Sequence, residues 1–164
     1  MRRFLYHGSK FDNKGEPLVP GIVHSQKEVF WDGKFESNRF LYACAGAENA
    51  ILLGIGSMAE KEVGTIGFLY SYEDREAQFL FKEDELITVE KLEKLLEGKG
   101  TYLYTIQVAP EHGWVQNKNL YNNIDDEYKT MGEIPAKDYA LSDIKVIQWL
   151  KKNNWKLVTR LRDE

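Results

Sequence analysis

A chain of 164 residues with 43% hydrophobic and 13% aromatic content can bury a real core, which excludes disorder and leaves room for one domain. The net charge of −4, with acidic and basic residues interspersed, argues against a general electrostatic grip on nucleic acid and leaves at most a local basic groove. Cys44 is the only cysteine, so an internal disulfide is excluded and a reducing compartment fits. No stretch approaches the length of a membrane span, and His7 and Lys10 interrupt any signal-type apolar run. A single cytoplasmic domain over residues 1–164, with no membrane partner, is expected.

Residues 3–7 read as a strand, followed by a loop-rich stretch from Lys10 to Gly33 punctuated by Gly15, Pro17, Pro20 and Gly21. "RFLYAC" (39–44) is a second apolar strand. It runs into "AGAENAILLGIGSMAEK", where Ala47, Ala50, Ile51, Ile55, Met58 and Ala59 recur at helical spacing. Gly54 and Gly56 weaken that helix and predict close packing against a neighbour. "GTIGFLYSY" and "AQFLFK" flank the charged turn "EDRE" as a β-hairpin. "ITVEKLEKLLEGKG" predicts a helix with Val89, Leu92, Leu95 and Leu96 on one face, ended by Gly98 or Gly100. "TYLYTIQV" is a strand rich in β-formers. A polar loop follows, with short strands around 113–116 and 127–131. "LSDIKVIQWLKKNNW" predicts a helix capped at Ser142, with Ile144, Ile147 and Leu150 inward; its end "WLKKNNWKL" packs Trp149 and Trp155. Short strands without regularly alternating helices point to the α+β class rather than a doubly wound sheet. "GIGSMA" (54–59) is no dinucleotide fingerprint, because Gly54 lies within a helix instead of following a strand.

Three stretches share a feature: a polar group where a short strand begins or ends. They are "LYHGSK" (5–10), "FLYACAGAENA" (40–50) and "DDEYKTMGEIPAKDY" (125–139). Taken singly, each has a plain structural explanation. His7 ends a strand, Tyr42 is one of nine tyrosines, and Glu127 sits in an acidic turn. His112 and His24 read as exposed loop residues. Phe30, Trp31 and Phe35 read as core or as the wall of a pocket. Cys44 reads as a small buried hydrophobe, with a nucleophilic role left open. Three histidines and one cysteine show no metal-ligand spacing, so no metal is expected.

Taken in order, the set resembles the ADP-ribosyltransferase superfamily in its His-Tyr-Glu branch, that of diphtheria toxin and the poly-ADP-ribose polymerases. "YHGSKFDNKGEPLVPG" and "EYKTMGEIP" are also similar to segments of the small rifamycin-modifying ADP-ribosyltransferases. The resemblance implies an α+β fold with a split mixed β-sheet core and flanking helices. It implies NAD as substrate, and transfer of ADP-ribose to an unidentified acceptor, a small molecule or a macromolecule. It further implies that His7 contacts the adenine-side ribose, Gly8 offers its backbone to the carboxamide, Ser9 supports the ribose contact and Tyr42 stacks on the nicotinamide. Glu127 is then the catalytic acid, with Glu133 second; Asp125, Asp126 and Glu111 stay open as alternatives, since the rifamycin-type acid lies earlier in the chain. The chemistry suits these residue types. Cleavage of the nicotinamide–ribose bond passes through an oxocarbenium-like transition state, which a carboxylate beside the ribose stabilises. Two other functions compete: a non-catalytic nucleotide- or protein-binding module, which could dispense with the acid, and an NAD-dependent RNA 2′-phosphotransferase, whose extra histidine and arginine pairs are missing here.

Overall fold

Runs of β-branched and aromatic residues become strands through most of the chain. The computed structural model describes residues 3–21, 29–31, 34–36, 40–117 and 126–162. In chain order the elements are β1 (Phe4–Ser9), β2 (Val29–Trp31), β3 (Lys34–Glu36), β4 (Leu41–Cys44), α1 (Ala47–Val63), β5 (Gly67–Ser71) and β6 (Glu76–Phe81). They continue as α2 (Val89–Leu96), β7 (Gly100–Gln107), β8 (Val115–Gln116), β9 (Glu127–Thr130), β10 (Tyr139–Lys145), α3 (Val146–Lys152) and β11 (Lys156–Leu161). One sheet has the order β10-β7-β1-β4-β9-β8, a second β11-β6-β5, and β2 with β3 makes a hairpin. The architecture is α+β. The chain divides into two units. The first comprises Met1–His7, Asp12–Ala50 and Tyr104–Leu141, the second Gly8–Phe11, Ile51–Leu103 and Ser142–Glu164.

In the first unit β4 lies between β1 and β9, antiparallel to both. Leu5, Leu41, Ala43, Tyr104, Ile106 and Ile134 are buried there. The loop after β1 is held by Asn13, whose Nδ2 donates to the carbonyls of Glu16 and Pro17 and whose backbone N–H donates to the Tyr104 hydroxyl. Gly15 sits in this turn at φ +79°, a conformation that favours a residue without Cβ. Farther along, Leu18 and Ile134 exchange backbone hydrogen bonds of 2.9 Å.

In the second unit β6 is the central strand of three, antiparallel to β5 and parallel to β11. Ala77, Phe79, Leu80 and Phe81 are all buried, as expected of a strand covered on both faces. Thr88 caps α2, its hydroxyl accepting from the Lys91 N–H at 3.2 Å. Leu92 and Leu96 are buried, whereas Leu95 is turned outward, so the apolar face of α2 is narrower than the sequence pattern predicts. The two helical glycines of α1 mark close contacts. A Cβ on Gly56 would lie 3.0 Å from the Phe68 ring. One on Gly54 would lie 2.6 Å from the Thr101 hydroxyl and 3.3 Å from the Ser9 amide. Gly54→Ala is therefore expected to destabilise by about 1–3 kcal/mol, although alanine is the better helix former. Urea denaturation measures this, and a stabilised Gly54→Ala protein would contradict the packing.

The C-terminal third departs from the helix predicted over 142–155. Leu141 to Lys145 extend β10, Ser142 caps nothing, and the helix is only Val146–Lys152. Sheet pairing overrides local helix propensity here, and Val146 and Leu150, instead of Ile144, become the fully buried pair. Asn154 adopts φ +62°, a left-handed turn that ends the helix and releases β11 where a continued helix end was expected. Trp155 is buried beneath the Arg75 guanidinium, 4.2 Å from its ring. Among the described residues no helix is long and apolar enough to cross a membrane, and no group of three or more His, Cys, Asp or Glu is placed to hold a metal ion.

Candidate functional site

The site is built on three neighbouring strands of the first unit. Register pairs Tyr6 of β1 with Cys44 of β4, and Cys44 in turn with Glu127 of β9. Beyond β8, whose Gln116 pairs with Tyr128, the Asn117 N–H donates to the Glu127 carbonyl at 2.7 Å. One row therefore crosses the sheet as Tyr6, Cys44, Glu127 and Asn117. The next row on the same face holds Tyr42 opposite Lys129. Tyr42 and Glu127 are thus diagonal neighbours, about 7–8 Å apart in such a ladder. Phe40 shares their face, its ring 6.1 Å from that of Tyr42 and 4.4 Å from the Lys129 ammonium.

His7 joins this arrangement through main chain. Strand alternation sends its Cβ to the face opposite Tyr42 and Glu127. Its half-buried ring reaches across to β4, and Nδ1 donates to the Tyr42 carbonyl at 2.6 Å. A carbonyl only accepts, so the proton is on Nδ1 and Nε2 is left as an acceptor. Burial holds the imidazole below its usual range, and the bond to Tyr42 opposes this in part. The Tyr104 ring lies 5.9 Å away, tilted.

Glu127 is a half-buried carboxylate. Burial raises its pKa, Asn117 opposes the rise by donating from Nδ2 to Oε1, the charge of Asp126 adds to it, and Lys129 opposes it. Asn117 is nearly fully buried, and among the described residues its Oδ1 has no hydrogen-bond partner. Leaving such an acceptor unpaired costs about 1–3 kcal/mol. Nothing in the local sequence "WVQNKN" marks Asn117; only its place opposite Glu127 does.

The other acids are placed differently. Asp126 accepts from Asn49 Nδ2 at 3.3 Å, and its carbonyl accepts from the Ala45 N–H, so it anchors the turn into α1. Glu133 is exposed on the turn after β9, and Glu111 is exposed in the short turn Pro110–His112. Asp125 and His24, and the side chains of Phe30, Trp31 and Phe35, lie outside the described residues. Gly8 and Ser9 end β1 within the second unit, where the Thr101 hydroxyl donates to the Ser9 carbonyl at 2.9 Å.

His112 is a correction. The polar loop predicts an exposed ring, yet it is 2% exposed. Its Nε2 pairs with Asp138 at 2.9 Å, and its Nδ1 accepts from the Ala109 N–H and the Trp114 indole N–H, both at 3.2 Å. A histidine that finds polar partners on every side can be buried in a loop. Cys44 is buried, with Asn49 Nδ2 at 3.6 Å from its sulfur. Burial, followed by the charges of Asp126 and Glu127, pushes the thiol up to about 12. The native protein is therefore expected to resist an aromatic disulfide reagent at about pH 8 and to react only on unfolding. Fast stoichiometric labelling of the folded protein would contradict this.

No protein-family model, curated protein or solved structure matches the chain.

Proposed function

We propose that this protein cleaves NAD and transfers its ADP-ribose to an acceptor, with Tyr42, Glu127 and His7 as the groups that meet the dinucleotide. The observation that supports this most is that Tyr42 and Glu127 are diagonal neighbours on one face of β4 and β9, while His7, on the other face of β1, donates to the Tyr42 carbonyl, which fixes its tautomer. Nε2 is then an acceptor suited to a ribose hydroxyl. Tyr42 supplies a flat ring for the nicotinamide, at low ordering cost. Glu127, one diagonal step away on the same face, accepts from a hydroxyl of the nicotinamide ribose and stabilises positive charge growing at the anomeric carbon. The glycosidic C–N bond breaks with its electron pair leaving on nicotinamide. The acceptor's nucleophilic atom forms the new bond to the same carbon, and its proton passes to a carboxylate or to water. With this goes a reading of the fold, in which the two larger sheets are counterparts of the split mixed sheet of the ADP-ribosyltransferases. The test is incubation with NAD labelled in its adenosine half, following nicotinamide release and label on candidate acceptors. Release that depends on the protein is expected; no release and no transfer at millimolar NAD would overturn the proposal.

A further inference from the structure

The geometry points to Asn117 as the positioning residue of Glu127, a carboxamide that holds one carboxylate oxygen and fixes the direction of the other. This rests on the reading of Glu127 as the acid that meets the substrate. Two bonds tie the residues together: backbone N–H to Glu127 carbonyl at 2.7 Å, and side-chain Nδ2 to Oε1. The second lies in a nearly closed environment, since Asn117 is 6% exposed. Among the described residues its buried Oδ1 finds no partner, and the side-chain bond that the amide makes there is spent on Glu127. An asparagine serving the packing alone would be replaced without loss by an apolar residue of like shape, because its unpaired oxygen is a cost. As a donor it has a use: it satisfies Oε1, restrains the carboxylate rotor and leaves Oε2 to meet a hydroxyl. Among the described residues, the charged and titratable groups around Glu127 are Asp126 beside it on the chain, Lys129 on its own strand and Cys44 opposite it on β4.

The test is titration of the Glu127 carboxyl by carbon-detected NMR in the full-length protein, comparing wild type with Asn117→Leu and Asn117→Asp, without any ligand. Loss of the donor in a site that stays closed raises the Glu127 midpoint, and the added carboxylate of Asn117→Asp raises it further. A midpoint that stays put, or that falls toward the ordinary glutamate value because the site has merely opened, would overturn the assignment. Backbone amide dispersion reports whether each variant is folded, and Asn117→Gln, which keeps a donor on a longer arm, serves as the conservative variant and is expected to restore part of the wild-type midpoint. Nicotinamide release by Glu127→Gln is measured separately. Full activity there refutes the role of Glu127 in the reaction, whereas an unmoved titration refutes Asn117.

Discussion

Glu127→Gln is expected to slow nicotinamide release from NAD by about 10²–10³-fold, the usual loss when one preorganised electrostatic contact to a transition state is removed. Glutamine keeps the shape of the side chain and still meets Asn117, so the fold should tolerate it. What it lacks is the negative charge that the proposed reaction sets against the oxocarbenium-like carbon. Because burial raises the Glu127 pKa above the ordinary carboxylate range, the proposed activity should fall on the acid side at a higher pH than an ordinary glutamate would give, and the slow activity left in Glu127→Gln should lose that limb. Glu133→Gln is the matched control. Its carboxylate is exposed on the turn after β9, and its removal is expected to leave the rate near wild type. A large loss in Glu133→Gln with little loss in Glu127→Gln would move the acid to the other end of the strand.

His112→Leu is expected to destabilise the protein by about 2–4 kcal/mol, the largest stability effect foreseen for a polar residue here. The histidine accepts at Nδ1 from two N–H groups, so its proton must lie on Nε2, where it is donated to Asp138. Leucine would leave the indole N–H of Trp114 and the Ala109 amide without an acceptor and Asp138 without its donor. Each unpaired group costs about 1–3 kcal/mol, partly recovered wherever water can enter. Asp138→Asn should cost less, because an amide oxygen still accepts from Nε2. Urea midpoints of the two variants measure this, and a midpoint for His112→Leu equal to wild type would show that the cluster contributes nothing to stability.

Much of the fold was legible because the hydrophobic pattern matched the local structure. The strand over "TYLYTIQV", the hairpin around "EDRE" and the apolar spacing of α1 all appear as predicted. The glycines of α1 pack against neighbours for the reason their position suggested. The misreadings lie where pairing or burial outranks propensity. "LSDIK" carries helix-compatible residues but extends β10, and the paired asparagines before Trp155 form a left-handed break, not a helix end. The burial of His112 is not legible because a loop sequence cannot show that Asp138, 26 residues later, returns to meet it. For the candidate site, the strand expected to end at His7 runs on through Gly8 to Ser9, Tyr42 lies inside β4, and only Glu127 stands at a strand end, so the relation of the three was not legible. Register puts Tyr42 and Glu127 on one face and leaves His7 to reach them through the Tyr42 carbonyl. Asn117 had no signal at all, since what singles it out is a partner ten residues away across a strand pair.

Calorimetric titration of NAD into the wild-type protein, His7→Ala and Tyr42→Ala tests the central claim most directly. Saturable binding by wild type is expected, weakened in both variants, with Tyr42→Ala losing the stacking surface and His7→Ala losing both the ribose acceptor and the restraint on the Tyr42 carbonyl. Heats indistinguishable from dilution up to millimolar NAD, or wild-type affinity retained by both variants, would contradict it.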